Sequence, residues 1–408
     1  MSNVIAILAT MDTKGAESDF MRQEIETLGG KAILIDLGVV GEVRIPVDIS
    51  IHEVARAGGS SIQKILEHPT RQDAAPILIA GAAKILNAMI AKGEVHALVA
   101  LGGTQGTSNC SQVMQALPYG FPKVMLSTVA SGDTAPFVDI KDITMMFSVG
   151  DILGLNPFSR KILANAAGAA LGMARIDRTI APEEGCKGVV GITNLGVLTS
   201  GAMHAIDLFH AAGYEAITFH AIGAGGRAME QMMKEGIITA VFDYALGEIA
   251  DEVFDGLRAG NEERLTVAGK LGLPQVICPG GAEHIGLLLH VPNEVPTRYV
   301  DHAYVFHNPY IFAPRMNVEE IKQIGKAITS RLQYSQTKTV FMIPTRGVSR
   351  YSVDGGDLVD RESDEAFFDV LRTTMPASVE LRELDLGAED PAFVEAAVST
   401  LIDLIEAD

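Results

Sequence analysis

The chain has no tryptophan and only 3 cysteines in 408 residues. Cys110, Cys186 and Cys278 stand far apart and form no Cys-x-x-Cys pair. That argues against a disulfide framework and a zinc ribbon, and for a reducing compartment. Basic residues are short, 32 Lys and Arg against 51 Asp and Glu, a net charge of −19. Such a balance disfavours nucleic acid as a partner and favours solubility. No long run of one charge is present. No serine sits in a Gly-x-Ser-x-Gly elbow, no His-Glu-x-x-His occurs, and no glycine loop ends in the Lys-Ser or Lys-Thr of a Walker A motif. No apolar run is read as membrane-spanning. Met1-Ser-Asn-Val4 leads straight into a strand, without the charged start and long apolar core of a signal peptide. The expectation is a cytoplasmic protein touching neither membrane nor nucleic acid.

What is abundant is apolar residues, 48%, and glycine, 41 in number. Short β-branched runs alternate with helical periodicities, and turns rich in glycine separate them. Val4–Ala9, Lys31–Leu37, Val95–Leu101 and Lys123–Leu126 read as buried parallel strands. Asn156–Arg175 reads as a helix with Pro157 in its first turn. The polar stretch Ile176–Gly188 is the best boundary. Beyond it a second series of strands and helices begins. The pattern predicts an α/β protein of two open Rossmann-like domains with mainly parallel sheets flanked by helices. Residues 1–180 would be a nucleotide-binding domain, and residues 187–408 a second α/β domain with a small-molecule cleft.

In parallel sheets, ligands gather beyond the carboxyl ends of the strands. At the first such place, the apolar run ending at Leu101 breaks into Gly102, Gly103, Thr104, Gln105, Gly106, Thr107 and Ser108. A helix is expected from Asn109. Glycine lets backbone approach a ligand, and free amides at a helix start attract anions. The stretch reads either as a phosphate or carboxylate site or as a bare tight turn. Thr10, Asp12, Thr13 and Lys14 follow the first strand, and Thr128, Ser131, Gly132 and Asp133 follow the fourth. Lys14 would place a cation on phosphate. Asp12, Asp133 or Asp139 would hold Mg2+, the alternative being that Asp12 and Asp133 merely cap turns.

In the second half, Gly223, Gly225 and Ala228 match a dinucleotide fingerprint, with Asp243 where a ribose-binding acid belongs. An anion site on Gly225, Gly226 and Arg227 is the preferred reading. His220 and His307 fall at predicted strand ends, with His284, Arg346 and Ser349 in neighbouring turns. They read either as scaffolding or as a cleft for an acidic metabolite, with His220 or His307 as acid or base and Arg346 as anchor. Cys278 lies inside an apolar strand and reads as packed.

Four stretches together carry a resemblance: ILATMDTKG at 7–15, ALGGTQGTS at 100–108, STVASGD at 127–133 and FHAIGAGGRAME at 219–230. In combination they resemble the Tm-one-like family, which includes the N-terminal region of a tomato mosaic virus resistance protein and many bacterial members. The resemblance implies two α/β domains, ATP bound by the first, and a homodimer. It implies no settled reaction. The leading expectation is therefore an ATP-binding or nucleotide-binding protein, with Mg2+ as companion ion. The alternative is a hydrolase, lyase or isomerase acting on a small acidic metabolite in the second domain.

Overall fold

The computed structural model describes residues 2–67, 71–178, 180, 182–336 and 338–407. The chain divides into two compact units, residues 1–180 and 181–408.

The first unit is built on a five-stranded parallel sheet. Its strands are β1 (Val4–Ala9), β2 (Lys31–Asp36), β3 (Ala97–Gly102), β4 (Lys123–Ser127) and β5 (Thr144–Phe147). They lie in the order β2-β1-β3-β4-β5, every neighbouring pair parallel. All six residues of β3 are buried, as a central strand covered on both faces requires. Ala6, Leu8 and Leu98 join one apolar core and Ile5, Ile7 and Val99 another. Helices cover both faces. The long connection after β2 carries two short helices, Ile51–Ala57 and Ile62–Glu67.

The helix Arg71–Ala91 corrects one expectation. Its window Ala74–Ala91 has a mean hydropathy of 1.7, long and apolar enough by composition to cross a membrane. The sequence reads Ala75–Lys92 as a helix but not as an apolar run of spanning length, because Pro76, Lys84 and Asn87 interrupt it. Leu78, Ala82 and Leu86 on this helix are buried in the core. It crosses the helix Ile51–Ala57 at glycines: a Cβ on Gly81 would overlap the Val54 carbonyl oxygen, and one on Gly58 that of Ile77. Gly81→Ala should therefore cost about 1–3 kcal/mol, the usual penalty of forcing atoms into a filled contact. A urea unfolding curve with an unchanged midpoint would contradict this.

The second unit has a six-stranded sheet: β6 (Val189–Asn194), β7 (Glu215–His220), β8 (Ala240–Ala245), β9 (Gln275–Gly280), and two later strands. Before those comes a small sheet of β10 (Leu287–Leu288), β11 (Tyr304–Asn308) and β12 (Ile311–Pro314), of which the sequence indicates only the strand at Tyr304–His307. It is antiparallel, in the order β10-β12-β11. The chain then returns with β13 (Thr339–Pro344) and β14 (Glu380–Leu384). The large sheet runs β14-β13-β9-β8-β6-β7, all parallel. Both expected parallel sheets are present. His307 belongs to the antiparallel insert rather than to a parallel strand end. The signal was the Asn308-Pro309 pair. The Asn308 Oδ1 accepts from the Tyr310 and Ile311 amides, both at 2.9 Å, and closes the hairpin.

Candidate functional site

In both sheets, the first strand of the unit has the second on one side and the third on the other. Successive connections therefore leave in opposite directions and open a crevice beyond the carboxyl ends. In the first unit that crevice lies beyond β1 and β3.

β1 ends at Ala9, and a helix, Met11–Thr27, starts at once. Asp36, at the end of buried β2, ties this junction down. Its Oδ1 accepts from the Met11 amide at 3.0 Å and the Gly38 amide at 2.7 Å. Burial pushes the Asp36 carboxyl up, the two amides pull it down, and the charge of Asp12 adds to the rise. Asp12 Oδ2 accepts from the Val40 and Gly41 amides, both at 2.9 Å, while its Oδ1 is buried without a hydrogen-bond partner. Lys14 departs from helical geometry, with φ −122° and ψ 17°. Its ammonium donates to the Ile152 carbonyl.

β3 ends at Gly102, Gly103 is the N-cap, and the helix Thr104–Gln115 follows. An added Cβ on Gly102 would sit 2.8 Å from the Gly106 Cα, so the tight strand-to-helix turn requires glycine there. No side chain caps this helix. The Thr107 amide is the first satisfied within it, by the Gly103 carbonyl at 2.8 Å. The amides of Thr104, Gln105 and Gly106 are left to solvent or a ligand. They face a cleft of about 310 Å3 that Thr10, Asp12, Thr13 and Lys14 also line. Leu37, Val39, Val40, Ala74 and Leu78 give it an apolar lining. Gln105 and Asn109, bonded to each other at 2.8 Å, complete the polar side.

In the second unit the corresponding crevice lies beyond β6 and β8. A cleft of about 450 Å3 opens on the β6 side of it, lined by Leu195, Gly196 and Val197 after β6 and by His220 at the end of β7, with the insert supplying His307, Ile311 and Ala313 to its wall. His284, Arg258 and Tyr351 also line it. Arg258 is held by Asp251 through Nε at 3.0 Å and Nη2 at 2.7 Å, and its Nη1 lies 3.3 Å from His284 Nε2. The other ring nitrogen, Nδ1, is 3.2 Å from the buried Glu283 carboxylate. Burial pushes Glu283 up, but His284, Arg315 and the Ser349 hydroxyl outweigh it and bring its pKa down to about 2.

With both clefts described, the chain can be set beside known proteins. Residues 3–179 match the N-terminal domain, and residues 187–405 the C-terminal domain, of the Uncharacterised protein family (UPF0261). The chain belongs to the UPF0261 family. A UPF0261 protein of Clostridium tetani is 39% identical over the full length of both chains. One of Mesorhizobium japonicum is 35% identical, over 97% of this chain and 98% of that one. The ToMV resistance protein Tm-1(GCR237) of Solanum lycopersicum is 31% identical over 75% of this chain and 41% of its own. The expected likeness to that plant protein is thus partial. Among solved structures, UDP-N-acetylglucosamine 2-epimerase of Rickettsia bellii aligns over 68% of this chain and 78% of its own, at 13% identity and a TM-score of 0.23. A score that low supports no inference about activity.

In this UPF0261 chain the first cleft gathers Thr10, Asp12, Thr13, Lys14, Gly103, Thr104 and Gly106 of the residues anticipated. Gly102 lies beneath it in the strand. Thr107 is buried, its hydroxyl 2.7 Å from that of Ser127. Ser108, Thr128, Ser131 and Gly132 do not line it. The helix starts five residues earlier than the periodicity indicates, which turns Thr107 inward. Asp133 is not a cleft ligand either: it accepts from the Ala135 amide at 3.0 Å and caps a turn. Asp133→Ala should cost about 1 kcal/mol or less and leave ligand affinity in the cleft unchanged, which paired melting and titration experiments would check. Among the described residues no group of three metal-ligating side chains occurs. Gln105, part of the anticipated glycine-rich stretch, lines the cleft too, while Leu37, Val39, Leu78 and Asn109 were missed. Of these only Asn109 left a signal, a polar residue four after Gln105 on one helix face.

The second unit brings His220 and His307 to one cleft but not Arg346. Arg346 is exposed and paired with Asp385 at 2.8 and 2.9 Å, beside a different depression. The guanidinium in the histidine cleft is Arg258, unmarked in the sequence because it lies in a connection without periodicity. The dinucleotide fingerprint fails on two counts. Asp243 is buried and bonded by both terminal nitrogens of Arg264, at 2.6 and 2.7 Å. The glycine turn is already occupied: Glu248 Oε1 accepts from the Gly223 and Gly226 amides at 2.6 and 3.0 Å. The anion foreseen at Gly225, Gly226 and Arg227 is the chain's own carboxylate, sealed in place by close packing at Gly226. Cys278 is packed as expected, and burial pushes its thiol well up. Burial raises the Cys110 thiol to about 12, so neither is a nucleophile.

Proposed function

We propose that the first unit binds a nucleotide, ATP in the simplest case, across the crevice beyond β1 and β3. The carrying observation is that an uncapped helix start and a set of apolar side chains line one cleft. Phosphate oxygens would take the Thr104, Gln105 and Gly106 amides, where the helix dipole also favours negative charge. The Thr10 and Thr13 hydroxyls, 2.8 Å apart, add donors. The Lys14 ammonium bonds a neutral carbonyl and has no carboxylate partner among the described residues, so its charge is available to phosphate. The base would lie against Leu37, Val39 and Leu78, an apolar surface suited to a flat ring.

Mg2+ arriving with the nucleotide would meet Asp12, the one carboxylate lining the cleft among the described residues. A cytoplasmic homodimer belongs to the same proposal. Calorimetric titration with ATP, with and without Mg2+, tests the binding, and native mass spectrometry of the purified protein reads bound nucleotide and chain number together. Saturable heat and a retained nucleotide mass are expected. Absence of both rejects the proposal.

A further inference from the structure

The second unit holds a built cleft that the nucleotide reading does not use. It lies at the reversal of strand order in its own sheet, where such folds bind ligands. Its volume, about 450 Å3, is that of a small-molecule site. The chain as a whole carries 19 more acidic than basic residues, yet no carboxylate lines this cleft among the described residues. Three imidazoles and one guanidinium do. The rest of the lining is largely apolar, and Ile222 and Leu257 on its wall are 45% and 47% exposed, as side chains awaiting a partner would be.

The hydrogen bonds set what each polar group offers. His220 Nδ1 lies 3.3 Å from the Asn194 carbonyl, which only accepts. That nitrogen therefore carries the proton, and Nε2 is left as an acceptor. Arg258 offers only protons, so His284 Nε2, 3.3 Å away, receives one from Nη1. Nη1 carries two protons, and the second has no partner among the described residues. His307 has no partner among them either. The site thus presents one charge-assisted donor, one imidazole free to donate, and one imidazole poised to accept. A single carboxylate matches the two donors; a dianionic phosphate would need more of them, because Asp251 already neutralises most of the guanidinium. An acceptor nearby calls for a donor on the ligand, and the walls call for an apolar body.

We infer that the cleft between the ends of β6 and β7, the connection carrying Arg258 and the antiparallel insert binds a small hydroxycarboxylate with an apolar side chain. Arg258 and His307 take its carboxylate, and His220 Nε2 accepts from its hydroxyl.

Calorimetry on the full chain tests this with 2-hydroxyisocaproate, its analogue lacking the hydroxyl, 4-methylpentanoate, and isopentyl phosphate. The hydroxy acid should bind best, about tenfold tighter than the analogue, the ratio expected for one neutral hydrogen bond. His220→Ala should erase that difference, lowering affinity for the hydroxy acid about tenfold and leaving the analogue unaffected. His307→Ala should weaken both acids alike. Both histidines are exposed, so these variants should fold, and an unchanged melting temperature verifies it. Gly103→Asp, in the other unit, should leave the acids' affinities untouched. No heat with either acid into the millimolar range overturns the inference, as does tighter binding of the phosphate. Equal affinity in the wild-type protein and both histidine variants places any binding elsewhere and overturns it too.

Discussion

Replacing Gly103 with aspartate should abolish nucleotide binding by the first unit while leaving its fold as stable as before or slightly more so. Gly103 is the N-cap of the helix Thr104–Gln115, with φ −77° and ψ −160°, a backbone any residue adopts. An added Cβ would meet nothing nearer than the Thr128 Oγ1 at 3.8 Å. Aspartate is among the best N-cap residues, because its carboxylate accepts from the second or third amide of the helix. Here those belong to Gln105 and Gly106, the donors assigned to phosphate. The substitution thus fills the anion site with an anion of its own and adds charge repulsion. A loss of at least about 100-fold in affinity is expected, since charge-assisted bonds are lost and a like charge is gained. Gly103→Asn supplies the cap without the charge and should fall between the two. Calorimetry and thermal melting on the same preparations decide the matter. Wild-type affinity in a folded Gly103→Asp protein would remove this helix from the site.

The second large effect concerns stability and pH. Arg264 is wholly buried and bonds Glu248 through Nε at 2.6 Å and Asp243 through both terminal nitrogens. One guanidinium therefore faces two carboxylates directly, and a third, Glu230, lies beside them. Glu230 Oε1 accepts from the Leu265 amide at 2.6 Å. Burial pushes the Glu230 pKa to about 8, with Arg264 and the Leu265 amide pulling down and Asp243 and Glu248 pushing up. Its ordinary value is 4.5. The folded state thus holds a proton that the unfolded chain releases. The resulting stability is complete below about pH 4.5 and is lost as pH rises through about 8. The loss is on the order of 5 kcal/mol.

Glu230→Gln keeps the bond to the Leu265 amide and cannot ionise. The variant should be more stable than the parent at about pH 8.5 and close to it at about pH 4.5, as the linkage sign requires. Denaturant midpoints measured across that range are the check; parallel curves for the two proteins would refute the assignment. Glu283 acts in a separate window and with opposite sign. Its pKa is lowered from 4.5 to about 2, so its contribution is present above about pH 4.5 and disappears as pH falls towards 2.

Much of the architecture was legible from residues alone. Runs such as Ile5-Ala-Ile-Leu8 and Leu98-Val-Ala-Leu101 are too short and too β-branched or apolar to be anything but buried strands beside amphipathic helices, and alternation of the two imposes parallel sheets. Asn156 followed by Pro157 marks a helix start, and Asn156 does cap it, accepting from the Phe158 and Ser159 amides at 3.0 Å each. These features depend on neighbours a few residues apart. In the antiparallel insert only the strand at Tyr304–His307 was legible; its partners escaped because β10 has two residues and β12 four, too short for any periodicity to register.

The two glycine-rich helix starts mark the limit. Gly102-Gly-Thr-Gln-Gly106 and Gly223-Ala-Gly-Gly226 look equivalent as strings, and both present backbone amides beyond a strand. Whether an amide is available depends on what else reaches it. Glu248, more than twenty residues downstream, folds back onto the second start and satisfies it; among the described residues no side chain does so at the first. The same holds for the arginines. Arg346 sits in a conspicuous turn yet spends its charge on exposed Asp385, whereas Arg258, in a featureless connection, is carried into the histidine cleft by its bonds to Asp251. Local sequence determined which segments become strands, helices and turns, because those choices rest on side-chain shape and short-range hydrogen bonding. Only the tertiary structure decided which donors and charges remain unspent, because that is settled by partners distant in the chain.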